Sequence, residues 1–247
     1  MLEFQSHMIF PVRAVPAAGP WPPRAERLSV KTPDGETLQG IHIPAEVPDP
    51  SATLLLGFGG NAWNGQDVAE YLHELFPGHD IVAFHYRGYA PSTGSPSAEA
   101  LIADAPLVYD ATVQRLKPRR VIGVGFSIGT GVAAQLSARR KLDGLILVTP
   151  FDSLKAVAQG MFPWIPIGPF FSHEIDAAGP LRKSATPVAI IAGERDEIVA
   201  PERTDALREN VARLVFDRTI PRAGHNDIYA RSDFHEAMRE AVRAVAP

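Results

Sequence analysis

Three residues far apart in the chain carry side chains that can act together on an acyl group: Ser127, Asp196 and His225. A serine hydroxyl is a weak nucleophile until a histidine takes its proton and a carboxylate orients that histidine. Ser127 lies in Gly125-Phe126-Ser127-Ile128-Gly129, between the apolar run Val121-Ile122-Gly123-Val124 and a helical stretch from Thr130. Strand, sharp turn and helix form the setting in which a G-x-S-x-G pentapeptide lifts a serine above a sheet edge. Side chains at the two glycine positions would collide with the adjoining chain. The hydroxyl then lies near the first N–H groups of the helix, whose partial positive charge steadies an oxyanion. Glycine-rich strand-to-helix turns also produce this pentapeptide by chance, so a base and an acid in workable order must decide the reading.

Among the eight histidines, His225 stands in Arg222-Ala223-Gly224-His225-Asn226-Asp227, after the last strand candidate and before the final helix. Loops in that position gather at the carboxyl ends of the strands, the edge where ligands bind. The acid is expected after the preceding strand, within Gly193-Glu194-Arg195-Asp196-Glu197, and Asp196 is the choice. Glu194 and Glu197 read as solvated loop charges, and Asp152, beyond the strand ending at Val148, is the alternative acid. Serine, then aspartate, then histidine is one of the chain orders that serve this chemistry. Two backbone donors must also face the developing charge. One is the N–H of Ile128; the other is expected from the loop Gly57-Phe58-Gly59-Gly60-Asn61-Ala62-Trp63, with Asn61 preferred and Ala62 next. The same loop has neither a dinucleotide fingerprint nor a Walker lysine.

These residues need a scaffold that delivers four loops to one edge. Arg27–Lys31 and Leu38–Ile43, joined by Pro33-Asp34-Gly35-Glu36, read as a hairpin. Continuous apolar runs at Thr53–Leu56, Ile81–Phe84, Val121–Val124, Leu145–Val148 and Val188–Ile191, and a weaker one at Val215–Ile220, suit strands buried on both faces. Helical patterns occupy 66–76, 97–116, 128–140, 202–211 and 233–245. The alternation predicts an α/β fold: a doubly wound sandwich with a mostly parallel sheet of about eight strands and helices on both faces. Residues 1–25 read as an irregular leader and 26–247 as one domain. Within it, 151–180 carries Met161-Phe162-Pro163-Trp164-Ile165-Pro166, too rich in proline for a long helix. That stretch is expected to form a short Pro- and aromatic-rich cap or lid, with Trp63, Phe162 and Trp164 as pocket-lining candidates.

The remaining features exclude rather than assign. A net charge of −4 gives no basic footprint for nucleic acid. The absence of cysteine rules out a disulfide framework, a thiol nucleophile and cysteine-bound metal. Apolar runs are strand-length, so no stable membrane insertion is expected. The first residues lack a clean signal peptide, and a cytoplasmic location is the expectation.

Taken as a set, the motifs resemble the serine α/β-hydrolase superfamily, in particular its cap-poor branch of thioesterase-like and prolyl-peptidase-like enzymes. Gly60-Asn61-Ala62 is similar to the His-Gly-Asn-Ala oxyanion motif of that branch, and His85-Tyr86-Arg87-Gly88-Tyr89, with Ser92 and Gly94, to its Tyr-Arg-Gly-Tyr-Gly-x-Ser-x-Gly stretch. Gly59 stands where the branch has a histidine that orients the loop, and Ala90 replaces a glycine. The resemblance implies cleavage of an ester or thioester through an acyl-enzyme, with a small-molecule acyl substrate and no metal or organic cofactor. It also implies a loop-tying role for Arg87. An amidase or peptidase of the same fold, or a catalytically silent ligand-binding member, is the alternative.

Overall fold

In the computed structural model, which describes residues 9–47, 51–161 and 171–246, strands and helices alternate along the chain. The strands are β1 (Glu26–Lys31), β2 (Thr37–Ile43), β3 (Thr53–Phe58), β4 (Asp80–Phe84), β5 (Arg120–Phe126), β6 (Gly144–Val148), β7 (Val188–Gly193) and β8 (Leu214–Ile220). They form one eight-stranded sheet in the order β1-β2-β4-β3-β5-β6-β7-β8. The hairpin β1–β2 and the β2–β4 pair are antiparallel; every other pair is parallel.

The apolar runs are continuous because alternate side chains serve two cores. Leu54, Leu56, Leu145, Leu147, Val188 and Ile190 point to one face. Leu55, Ile122, Val124, Ile146, Val148, Ala189 and Ile191 point to the other. The first face is covered by α2 (Ala98–Leu116), α3 (Ile128–Ser137) and the short α5 (Ala178–Leu181). The second is covered by α1 (Gly65–Leu75) and α7 (Ser232–Val245). In α7 the residues Phe234, Ala237, Met238, Ala241, Val242 and Val245 are buried, the three-to-four spacing of a core-facing stripe. Each large side chain so buried contributes about 1.5–3 kcal/mol relative to exposure. The edge strand β8 instead alternates half-buried with exposed residues, which is why its run is the weakest in the sequence.

Two short helices were not foreseen, α4 (Leu154–Met161) within the 151–180 segment and α5 across its end. The described part of α4 runs to Met161, and the cluster of prolines follows in the sequence. The helix α6 (Pro201–Arg208) starts one residue earlier than the pattern suggests, because a proline preset near helical φ suits the first turn. Among the described residues no helix is long and apolar enough to cross a membrane.

The register of the parallel strands places the chemistry. Phe58 pairs with Gly125, Phe126 with Val148 and Gly193 with Ile220, so the carboxyl ends of β3, β5, β6, β7 and β8 stop at one level. The loops after them therefore share an edge. The loop after β4 is tied to the hairpin: the His85 N–H donates to the Gln39 carbonyl, and the Gln39 N–H to Ser92 Oγ. Arg87 makes a paired contact with Asp104 of α2 at 3.0 and 2.7 Å and also binds Asp34 in the hairpin turn.

His85 is buried and accepts the N–H of Gly65 at the start of α1 through Nδ1. Desolvation pulls it from the ordinary 6.5 down to about 4, so it stays neutral in the fold while the unfolded chain takes up a proton. Its contribution to stability is full above the unfolded value and is lost as pH falls toward the folded one. Urea unfolding is expected to show stability falling from about pH 6.5 to about pH 4, with a shallower slope in His85→Gln; equal slopes would refute this.

Candidate active site

β5 delivers Ser127 and α3 carries the chain away, so the serine must turn the backbone through a right angle in one residue. It does so at φ 50°, ψ −117°, a conformation that a non-glycine residue holds only when its surroundings enforce it. The enforcement is visible at both ends of the residue. The Ser127 N–H donates to the Val148 carbonyl at 2.9 Å, and its own carbonyl accepts both the N–H and the hydroxyl of Thr130 at 2.9 and 2.6 Å. The flanking glycines leave no room for a side chain. A Cβ built on Gly129 would lie 2.1 Å from the Phe58 carbonyl oxygen, and one on Gly125 2.6 Å from that of Gly129.

The structure brings Ser127, His225 and Asp196 into one line. His225 Nε2 stands 3.0 Å from Ser127 Oγ, and its Nδ1 stands 3.0 and 2.8 Å from the two carboxylate oxygens of Asp196. Only 7% of Asp196 and 5% of His225 is exposed. Asp196 Oδ1 also accepts the N–H groups of Ile198 and Val199 at 3.0 and 2.7 Å, which fixes the carboxylate as an acceptor. Nδ1 therefore carries the imidazole proton, and the lone pair of Nε2 faces the serine hydroxyl. Asp152 lies elsewhere, with Oδ2 on Arg203 at 3.2 Å and its backbone carbonyl capping Ala177 and Ala178.

Glu194 and Glu197 are more than the solvated loop charges the sequence suggests. Glu194 accepts the N–H of Arg222 at 2.7 Å, and Glu197 accepts the N–H of His225 itself at 3.2 Å. The acid loop thus grips the backbone of the histidine loop. Their partners lie some 28 residues downstream, so no local pattern could announce them. Beyond His225, the Tyr229 carbonyl accepts Tyr71 Oη at 2.8 Å and the ring N–H of His235 at 2.7 Å, closing the loop from the other end.

The glycine-rich loop after β3 faces the serine. The nearest atom to a Cβ built on Gly60 would be Ser127 Cβ, at 3.7 Å. Ile128 follows Ser127 as the first residue of α3. Asn61 is half-buried, and among the described residues its N–H has no hydrogen-bond acceptor. Its side-chain amide instead donates to the Ile9 carbonyl at 3.1 Å. Trp63 packs into an aromatic cluster, 5.4 Å from Tyr71, 5.1 Å from Phe126 and 5.4 Å from Tyr229 between ring centres. Phe162 and Trp164 lie outside the described residues.

Comparison with known proteins agrees with the fold. A family model for the alpha/beta hydrolase fold matches residues 54–166. The chain is 32% identical over 200 residues to alpha/beta hydrolase domain-containing protein 17B of Homo sapiens, covering 79% of this chain and 67% of that one. It is 30% identical over 222 residues to an uncharacterized protein of Mycobacterium tuberculosis, covering 86% and 78%. An esterase of Pyrococcus furiosus superposes with a TM-score of 0.73 at 19% identity, covering 92% of this chain and 94% of its own.

The glycine contacts give a paired expectation. Gly129→Ala should lose at least about 3 kcal/mol in urea unfolding or fail to fold, whereas Gly60→Ala should stay within about 1 kcal/mol of the parent. Equal stability of the two variants would contradict the geometry of the turn.

Proposed function

The chain belongs to the α/β hydrolase family, and we propose that it is a serine hydrolase cleaving carboxylic esters or thioesters through an acyl-enzyme. The observation that carries this reading is the unbroken run of hydrogen bonds from Ser127 Oγ through His225 to Asp196, at 3.0 and 2.8 Å. Ser127 Oγ attacks the carbonyl carbon as its proton passes to His225 Nε2. The Asp196 carboxylate stabilises the imidazolium that forms and holds it in place. The carbonyl oxygen, now negative, is met by the N–H groups of Ile128 and Asn61. Collapse of this intermediate expels the alcohol or thiol, which takes the proton from His225. A water then gives a proton to His225 as it attacks the acyl-serine, and His225 returns that proton to Ser127 Oγ as the acyl–Oγ bond breaks and the acid is released.

The acyl side is taken to be apolar, on the strength of Trp63 and of the aromatic residues Phe162 and Trp164 in the segment after α4. A fluorophosphonate probe, which reacts only with an activated serine, should label the parent protein and leave Ser127→Ala unlabelled. Asp196→Asn should retain the fold but lose about 10³–10⁴ in kcat on p-nitrophenyl butyrate, because the imidazole is then held in the wrong tautomer. Equal labelling of parent and Ser127→Ala would sink the assignment.

A further inference from the structure

The loop carrying Asn61 has no side chain at Gly59 that could orient it from within. A Cβ built on Gly59 would lie 2.8 Å from Val68 Cγ2 and 3.3 Å from the Trp63 carbonyl oxygen, so this position cannot take an orienting histidine without rearrangement. Yet an oxyanion donor works only if its N–H is aimed before the charge develops. The structure shows what aims it. Tyr86 Oη donates to the Gly59 carbonyl at 2.8 Å, the Trp63 N–H donates to the Gly60 carbonyl at 3.3 Å, and Tyr89 Oη donates to the Asn61 carbonyl.

The carbonyl and N–H of a trans peptide point in opposite directions across one rigid plane. Fixing the Gly60 carbonyl toward Trp63 therefore directs the Asn61 N–H the other way, and that N–H is the one without an acceptor among the described residues. The weakest of the three contacts is the one on this plane. The two flanking planes are held by the tyrosine hydroxyls, which leaves the central plane little freedom to rotate. Burial pushes both phenols well above their ordinary range, so each remains a protonated donor. Their rings meet edge to face at 5.8 Å and Tyr89 is wholly buried. Arg87, between them, is anchored to Asp104 and Asp34.

We propose that Tyr86 and Tyr89 are positioning residues that lock the β3 loop so that the Asn61 N–H faces the oxyanion formed on attack by Ser127. The inference rests on the serine-hydrolase reading above. Both act through the peptide planes they hold.

The test compares Tyr86→Phe, Tyr89→Phe and the control Tyr109→Phe, whose hydroxyl binds the Lys141 carbonyl in the loop between α3 and β6. All are assayed on p-nitrophenyl butyrate with the concentration of active enzyme set by fluorophosphonate titration. Each is also titrated with a trifluoromethyl ketone, whose addition to a serine creates an oxyanion. Tyr89→Phe and Tyr86→Phe should lose about tenfold or more in kcat with KM within about twofold, and bind the ketone more weakly by the same factor. Tyr109→Phe should match the parent in all three. A general loss of folding would lower the titrated concentration but leave kcat and ketone affinity per active site unchanged, so a merely structural role is distinguishable. If Tyr89→Phe cannot be recovered folded, Tyr86→Phe carries the comparison. Parent-like kcat and ketone affinity in the tyrosine variants, with the parent labelled at Ser127, overturns the positioning role alone. A parent not labelled at Ser127 overturns the serine-hydrolase reading and the positioning role with it.

Discussion

The site depends on one strained residue. Ser127 is held at φ 50°, ψ −117°, at a cost of order 1–3 kcal/mol that the surrounding fold must offset. The offset comes from the neighbouring strand, through the bond from the Ser127 N–H to the Val148 carbonyl, and from the first helical turn, through the double grip of Thr130 on the Ser127 carbonyl. It also depends on two positions without side chains. With a Cβ at 129 the first turn of α3 could not lie against the end of β3, and the β3 loop would lose its place beside the serine. The turn therefore sets both the exposure of the Ser127 hydroxyl and its distance from the β3 loop.

Around that turn the remaining loops hold each other rather than standing alone. The acid loop accepts N–H groups of the histidine loop through Glu194 and Glu197, and the histidine loop returns the contact through His225 and Asp196. The loop after β4 clamps the β3 loop with two tyrosines and is itself held by the hairpin and α2. Most of these bonds run from a side chain to a backbone group, which fixes where a loop lies without constraining its own sequence strongly. The aligned strand ends bring the loops together; the side-chain bonds between them set the final ångström.

Much of this was legible in the residues themselves. The G-x-S-x-G turn, the order Ser127, Asp196, His225 and the parallel sheet rest on local pattern: glycine where a Cβ cannot fit, and continuous apolar runs where both faces are buried. What the pattern could not supply was any relation between distant loops. Glu194 and Glu197 look like solvated acids because their partners, Arg222 and His225, are not their neighbours in sequence. Tyr86 and Tyr89 stand in the sequence only as part of the Tyr-Arg-Gly-Tyr likeness, and only the position of the Gly59 and Asn61 carbonyls gives their hydroxyls a task. Among the first described residues Val12–Ala14 form a short 3-10 helix, Phe10 is buried in the core and the Ile9 carbonyl accepts the Asn61 amide, contacts that no local pattern announces.

The central claim is that Ser127 Oγ becomes covalently acylated. It is tested most directly by mixing the protein briefly with p-nitrophenyl butyrate, quenching in acid and mapping the mass of each peptide. The account predicts a butyryl increment on the peptide that carries Ser127, absent from Ser127→Ala, whose nitrophenolate release falls to background. Release by Ser127→Ala at the parent rate, with no increment on that peptide in the parent, would contradict it.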